Sequence, residues 1–175
     1  MSEALLKVES VTKNFGGFTA LSNVTTEVLT GERFGLIGPN GSGKTTLINC
    51  ISGTLVNEGG NIIFDGQELA GMKAHQRTAA GITRTFQIPR PFHSMTIMDN
   101  LRIPIEFVSG SSSSQNEMKD QAMEILETMG MAEKANEETS GLTQIELRKL
   151  ELARAIAAKP KLLISDEAMA GLTGN

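Results

Sequence analysis

Alternating hydrophobic and polar positions along the first third of the chain predict a β-rich N-terminal part. Tight turns are indicated by the pairs Gly16-Gly17 and Asp65-Gly66, which are typical of chain reversals. The predicted strands lie at residues 5–9, 24–29, 33–37 and 61–64. The run at 33–37 is short and apolar after Arg33, so we expect it to be a buried strand.

Helical spacing replaces this alternation in three places. After a glycine-rich loop, Leu47, Ile48 and Ile51 share one face of a short helix that Gly53 is placed to end. Apolar residues recur with helical spacing over 116–129. A last helix is expected over 143–158, because Thr143-Gln144-Ile145-Glu146 fits the capping box.

Other segments are predicted to be irregular. The prolines at 89, 91 and 104 are expected to interrupt regular structure, and residues 109–114 are typical of a flexible linker. Residues 162–164 are apolar and are predicted to form a final buried strand.

Composition narrows the class of protein. The chain has 175 residues, 39% of them hydrophobic and 21% charged, with a net charge of −4, which argues against a basic nucleic-acid binder and against a disordered chain. The single cysteine, Cys50, excludes a disulfide framework and a multi-cysteine metal site. No apolar run approaches the roughly 20 residues that span a bilayer, and no secretory leader is evident, so a cytoplasmic protein is expected.

A phosphate-binding loop is the strongest motif. Residues 38–45 match G-x-x-x-x-G-K-[ST] between an apolar run and an amphipathic helix. Its glycines let backbone N–H groups surround phosphate oxygens, Lys44 would reach the β- and γ-phosphates, and Thr45 would bind Mg²⁺. The candidate nucleotide-binding residues here are Gly38, Asn40, Gly41, Ser42, Gly43, Lys44, Thr45 and Thr46.

Two carboxylates follow the last apolar run. Asp166 is placed to hold the Mg²⁺ hydration shell, and Glu167 to orient and deprotonate an attacking water. Alone, such a pair is usually a polar strand end, but the phosphate loop makes the catalytic interpretation the stronger one.

These motifs, in this order, resemble the ATP-binding subunit of ABC transporters over the whole chain. Residues 82–92 and 15–21 resemble the subgroup that serves branched-chain amino acid importers. The resemblance implies an ATP-binding and ATP-hydrolysing subunit that energises the import of branched-chain amino acids or similar small solutes. The resemblance implies an α/β fold: a P-loop NTPase core of ABC type with an antiparallel β subdomain and an α-helical subdomain. It also implies ATP and Mg²⁺ as cofactors, a second ATP-binding subunit (identical or not) and membrane permease subunits as partners. Nucleic acid is not an expected partner, and the location would be the inner face of the membrane.

The resemblance also assigns roles to residues. Phe15 would stack on adenine, with Phe18 as the alternative stacking residue. Gln87 would contact Mg²⁺ or the attacking water, so the catalytic set is Glu167, Gln87 and Lys44. The metal set is Thr45, Gln87 and Asp166. Thr143 would contact the γ-phosphate that the partner subunit holds.

The signature segment departs from the family pattern. Where the family has Leu-Ser-Gly-Gly-Gln, this chain has Leu142-Thr143-Gln144-Ile145-Glu146. Ser140-Gly141 offers a rival register. Gln144 and Ile145 replace glycines, so close approach to a phosphate is reduced, and Thr143 is either a phosphate contact or only a helix cap. These departures motivate an alternative function, a non-catalytic or regulatory nucleotide-binding module.

The resemblance further predicts a C-terminally truncated domain that lacks part of the core sheet. Its expected parts are a β subdomain and P-loop core at 1–89, a helical subdomain at 90–140, and a signature helix with the carboxylate strand at 141–175. The family's later histidine has no counterpart, since His75 and His93 both precede Asp166 and are expected to be exposed. A gap in the sheet predicts low stability, with melting below about 50 °C.

Two other nucleotide-binding classes fit less well. Soluble ABC ATPases of DNA repair or translation carry coiled-coil inserts or paired cassettes, and this sequence has neither. A GTPase would need an Asn-Lys-x-Asp motif, which is also missing from the sequence.

Overall fold

The computed structural model describes residues 3–85, 88–110 and 114–165, within two compact units, Met1–Arg77 and Thr78–Asn175. The elements of the first unit are β1 (Ala4–Phe15), β2 (Phe18–Leu29), α1 (Lys44–Ser52), β3 (Gly59–Phe64) and β4 (Gln67–Glu68). Helix α2 (Ala74–Ala80) begins in the first unit and ends in the second. The elements of the second unit are β5 (Ile82–Arg84), α3 (Ile97–Ser109), α4 (Gln115–Thr128), α5 (Gln144–Ala157) and β6 (Leu162–Ile164).

A four-stranded antiparallel sheet with the order β2-β1-β3-β4 dominates the first unit. Along β1 the buried Leu6 and Val8 alternate with the exposed Lys7 and Glu9, as expected for a sheet with one covered face. Leu6 lies opposite Phe64 of β3, which is also buried. The predicted antiparallel β subdomain is therefore confirmed, although both long strands extend beyond the predicted segments.

The prediction of a buried strand at 33–37 is wrong. These residues are exposed and form no regular element, and Ile37 is 94% exposed. An apolar run becomes a strand only where neighbouring strands take up its N–H and C=O groups. Among the described residues, β1 to β4 pair with one another and β5 pairs with β6, and no strand pairs with this segment.

Helix α1 matches its prediction closely. Leu47, Ile48 and Ile51 are buried on one face. Gly53 adopts a left-handed conformation with φ 81° and donates its N–H to the carbonyl of Asn49, which ends the helix as predicted.

The second unit packs α3, α4 and α5 around one apolar core. This core is formed by Ile97, Met98, Leu101, Ile105, Met118, Ala122, Leu126, Met131, Ala135, Leu142, Leu150, Ala153 and Ala157. Strands β5 and β6 pair in parallel. The strand at 162–164 is confirmed, but its predicted burial is wrong because Leu163 is 38% exposed.

Helix α3 contradicts the expected interruption at Pro104. The proline lies inside the helix, which is capped by the hydroxyl of Thr96 accepting the N–H of Asp99. A proline inside a helix costs about 3 kcal/mol. Complete burial of Ile97 and Leu101 in the three-helix core offsets that cost. The predicted linker begins inside α3 at Ser109, and its residues 111–113 lie outside the described residues.

Candidate functional site: the phosphate loop and the signature helix

The phosphate loop leads directly into the N-terminus of α1. Gly43 is the N-cap residue and, as a glycine, has no side chain to cap the helix. No acidic residue lies in the first turn. The first N–H groups of the helix therefore have no side-chain acceptor at a point where the helix dipole is positive. Such an end favours an anion, and the residues of this loop fit the polyphosphate of a nucleotide.

Gly43 is held in a place where no side chain fits. Its φ is 88°, in the left-handed region, and a Cβ would lie 2.6 Å from the carbonyl oxygen of Ala20 and 2.9 Å from Cδ2 of Leu21. At Gly38 a Cβ would lie 2.7 Å from Oγ of Ser42. Glycine at 43 thus lets the loop pack directly against β2.

Lys44 lies across the loop. Its Nζ donates to the carbonyls of Gly38 at 2.7 Å and Pro39 at 2.8 Å. Phosphate oxygens would replace these two acceptors, since an ammonium group binds charged oxygen more strongly than carbonyl oxygen. Thr45 and Thr46 follow in the first turn, with Thr45 exposed and available to a cation. Asn40, Gly41 and Ser42 are exposed at the tip of the loop.

Both candidate aromatic residues lie at the tip of the β1–β2 hairpin. Phe15 and Phe18 face each other in register and are 46% and 61% exposed. The Nζ of Lys13 lies 5.3 Å from the centroid of the Phe15 ring, within cation–π distance. Both rings are open to a base, so the choice between them remains a prediction.

The hairpin tip is fixed by Glu58, a residue that the sequence analysis did not single out. Its carboxylate accepts from Nζ of Lys13 and from the backbone N–H and Nδ2 of Asn14, each at 2.8 Å. The hydrogen bond from Lys13 is the main cause that lowers the pKa of Glu58, followed by that from the Asn14 backbone. No local pattern identifies this contact, because 44 residues separate Asn14 from Glu58.

Replacing Glu58 by alanine is expected to weaken Mg-ATP binding about 3- to 10-fold, because the strand end that carries Phe15 loses three hydrogen bonds. Titration of the full chain with Mg-ATP measures the effect. Glu27→Ala, an exposed carboxylate on β2, is the matched control. An unchanged Kd in Glu58→Ala would show that the hydrogen bonds to Glu58 do not contribute to nucleotide binding.

The predicted capping box of α5 is confirmed. The Thr143 hydroxyl accepts the N–H of Glu146 at 3.3 Å and donates to its carboxylate at 2.8 Å, and the Thr143 N–H donates to the same carboxylate at 2.8 Å. Nζ of Lys134 donates to the other oxygen of Glu146 at 2.7 Å. The Thr143 hydroxyl is thus engaged within its own helix, and its phosphate contact stays a prediction.

These contacts make α5 sensitive to acid. The hydrogen bond from Lys134 and those from Thr143 lower the pKa of Glu146 to about 2. Since its folded pKa lies below the unfolded one, Glu146 stabilises the fold above about pH 4.5, and this contribution is lost as the pH falls toward about 2.

Glu146→Gln is therefore expected to destabilise the chain at neutral pH and to differ little from wild type near pH 2, which urea unfolding at both pH values measures. Glu124→Gln, on the exposed face of α4, controls for loss of a carboxylate alone. An equal difference at both pH values would show that the ionised form of Glu146 is not what stabilises the helix.

Several predicted site residues lie outside the described residues, namely Gln87, Asp166 and Glu167. His75 and His93 are exposed, as expected. Within 3–85, 88–110 and 114–165 no group of three or more histidine, cysteine or acidic residues could hold a metal ion. The rival register, Ser140-Gly141, lies in a 3₁₀ turn ahead of the α5 N-cap.

Comparison with known proteins agrees with this geometry. The profile of the ABC transporter family matches residues 21–170. This chain belongs to the ABC transporter family. The high-affinity branched-chain amino acid transport ATP-binding protein LivG of Escherichia coli is 38% identical over 98% of this chain and 72% of its own length.

Solved ABC cassettes share the fold. The ATP-binding cassette MJ1267 of an ABC transporter is 31% identical in sequence and superposes with a TM-score of 0.82. The match covers 97% of this chain and 71% of the MJ1267 chain. The cassette MJ0796, solved as a dimer in a post-hydrolysis state with ADP and Pi, is 26% identical over 93% of this chain and 74% of its own, with a TM-score of 0.83.

The expected fold class, an ABC-type nucleotide-binding domain, is confirmed by these cassettes, and so is the resemblance to branched-chain amino acid transport ATPases. In the described part of this ABC chain, no helix is both long and apolar enough to cross a bilayer.

Proposed function

We propose that this chain is the ATP-hydrolysing subunit of an ABC importer for branched-chain amino acids. The observation that carries the proposal is the uncapped N-terminus of α1, where Gly43 packs against β2 with no room for a side chain and Lys44 closes the loop. The likeness to LivG over nearly the whole chain supports the transported substrate.

Each site residue has a distinct task in this function. The N–H groups of the loop from Gly38 to Thr46 and the ammonium of Lys44 bind the β- and γ-phosphates, and Phe15 stacks on adenine. Thr45, Gln87 and Asp166 hold Mg²⁺, which when bound neutralises charge on the phosphates. Glu167 takes a proton from the water that attacks the γ-phosphorus, and the bond from that phosphorus to the β–γ bridging oxygen breaks, which releases ADP and phosphate.

The partners follow from the transport role. A second ATP-binding subunit brings its signature helix to this chain's nucleotide, and residues 90–140 form the helical part that docks on the permease. Residues 1–89 form the nucleotide-binding part, and 141–175 carry the signature helix and the two carboxylates. The dimeric state of the MJ0796 cassette supports the pairing. The subunit is expected on the inner face of the membrane.

Nucleotide binding and turnover of the full chain test this proposal. Lys44→Ala is expected to weaken Mg-ATP binding by about 100-fold, because a charge-assisted contact to phosphate is lost. Glu167→Gln is expected to keep the affinity and lose turnover by about 10²–10⁴-fold, as for removal of a general base. Equal affinity in Lys44→Ala and wild type would contradict the phosphate site.

The transported substrate needs a separate test. With permease and binding-protein partners in vesicles, uptake of leucine, isoleucine and valine should depend on ATP and fail with Glu167→Gln. Uptake of an unrelated solute instead would contradict the proposed substrate but not the proposed ATPase activity.

The capping box favours one second candidate, a non-catalytic or regulatory nucleotide-binding module. The Thr143 hydroxyl, which the family would use on the partner's γ-phosphate, is hydrogen-bonded to Glu146. If wild type and Glu167→Gln both bind ATP and neither hydrolyses it, this candidate replaces the first.

A further inference from the structure

The segment that follows Gln87 in the sequence is held by a buried amide on α3. Asn100 is completely buried, and its Oδ1 accepts the N–H of Phe92 at 2.8 Å. Its Nδ2 donates to the carbonyl of Phe92 at 3.1 Å and to that of Thr96 at 2.9 Å. One side chain therefore fixes both backbone groups of Phe92.

An arginine on α5 holds the same segment from the other side. Nη1 of Arg154 donates to the carbonyl of Arg90 at 2.8 Å, and its guanidinium carbon lies 4.9 Å from the centroid of the Phe92 ring. The same Nη1 also donates to Glu151 of α5 at 3.1 Å, and the side chains of Arg154 and Glu151 are only 19% and 8% exposed. The ion pair orients the guanidinium toward the carbonyl of Arg90, which lies 64 residues earlier in the sequence.

These contacts form a continuous path. It runs from the helix that follows the signature segment, through Arg154, to Phe92 and then through Asn100 to α3. Each step is a direct contact within the second unit. A rotation or shift of α5 would therefore displace the backbone at Arg90 and Phe92, a few residues after Gln87.

We propose that Arg154 is a positioning residue that joins the signature helix α5 to the segment after Gln87, and so couples the two during ATP hydrolysis. This inference rests on the proposed function, in which Gln87 and the signature helix both serve the nucleotide. In this role Arg154 acts through the segment that it holds, by its contacts with Arg90 and Phe92.

The planar guanidinium is what the arrangement requires. It accommodates the Arg90 carbonyl, the Glu151 carboxylate and the face of the Phe92 ring, whereas an ammonium offers a single point of charge. Arg154→Lys keeps a cation beside the nearly buried Glu151 and so preserves folding. Arg154→Met removes the charge and all three contacts.

Hydrogen exchange on the full chain measures the positioning directly. In wild type the N–H of Phe92 donates to Asn100 and that of Met95 to the Phe92 carbonyl at 3.1 Å. We expect exchange at these amides to rise about 10-fold in Arg154→Met and by an intermediate factor in Arg154→Lys. Amides of α1, such as that of Leu47, should keep wild-type exchange. Lys119→Met, at an exposed position of α4, is the matched control for loss of a cation.

A role in coupling also predicts a split between binding and turnover. In Arg154→Lys the Kd for Mg-ATP should stay within about 2-fold of wild type while kcat falls about 10-fold, because the phosphate loop is untouched. Unchanged exchange at Phe92 and Met95, or increased exchange with unchanged kcat, overturns the proposal. A wild-type chain without ATP turnover overturns the proposed function instead, and the exchange measurement then still decides whether Arg154 positions the segment.

Discussion

Gly43→Ala is expected to abolish high-affinity ATP binding, with a loss of about 100-fold or more in Kd. Two independent effects combine at this position. The left-handed backbone, at φ 88°, costs a residue with a Cβ about 1–2 kcal/mol. In addition, the new Cβ would lie 2.6 Å from the Ala20 carbonyl oxygen, a backbone atom of β2 that cannot rotate away.

Two further substitutions separate these effects. Gly41 has a φ of 82° and nothing within 4 Å of its added Cβ, so Gly41→Ala carries the backbone strain without the collision. Its loss of affinity should be about 10-fold, as expected from the strain alone. Gly59→Ala on β3 introduces a Cβ at an ordinary 3.6 Å from Thr12 and should bind ATP like wild type.

Isothermal titration of the three variants with Mg-ATP gives the order of the Kd values. The expected order of affinity is Gly59→Ala, then Gly41→Ala, then Gly43→Ala. Equal affinities for Gly41→Ala and Gly43→Ala would mean that the close packing of the loop against β2 does not matter for the nucleotide.

Local chemistry explains why part of this site could be predicted from the sequence. The phosphate loop and the capping box are each encoded within eight or fewer consecutive residues, so residue type and spacing were sufficient. The C-cap at Gly53 and the burial of Leu47 follow from the same short-range rules.

Contacts between distant residues were not predictable in this way. Glu58 lies 44 residues from Asn14, and Arg154 lies 64 residues from Arg90, so neither contact leaves a local pattern. Tertiary context also decided against two local signals. Pro104 stays inside α3 because that helix packs in the three-helix core. Residues 33–37 are irregular, and none of the described strands pairs with them.

Arg77→Met is expected to lower the free energy of unfolding by about 4 kcal/mol, since hydrogen bonds to charged groups contribute about 1.5–3 kcal/mol each and are not fully additive. Arg77 is 5% exposed and donates to four backbone carbonyls. Its Nη1 donates to the carbonyls of Cys50 at 2.6 Å and Ile51 at 2.9 Å. Its Nη2 donates to the carbonyl of Leu69 at 2.9 Å, and its Nε donates to that of Met72 at 3.1 Å.

The position of these carbonyls explains the size of the effect. Cys50 and Ile51 belong to the last turn of α1, whose free carbonyls carry the negative end of the helix dipole. Burial lowers the pKa of Arg77, yet a cation placed there offsets that dipole. Methionine fills a similar volume but removes the guanidinium from all four carbonyls, of which that of Leu69 still accepts the N–H of Met72.

Urea unfolding of wild type, Arg77→Met and Arg77→Lys measures the loss, with Arg33→Met at an exposed position as the control for removing an arginine. Lysine should recover part of the stability, because an ammonium can reach some of the carbonyls but not all four at once. A loss below about 1 kcal/mol in Arg77→Met would mean that water replaces the guanidinium at these carbonyls. In that case the N-terminus of α1 would keep its position without Arg77. Mg-ATP should then raise the free energy of unfolding of Arg77→Met by as much as it raises that of wild type.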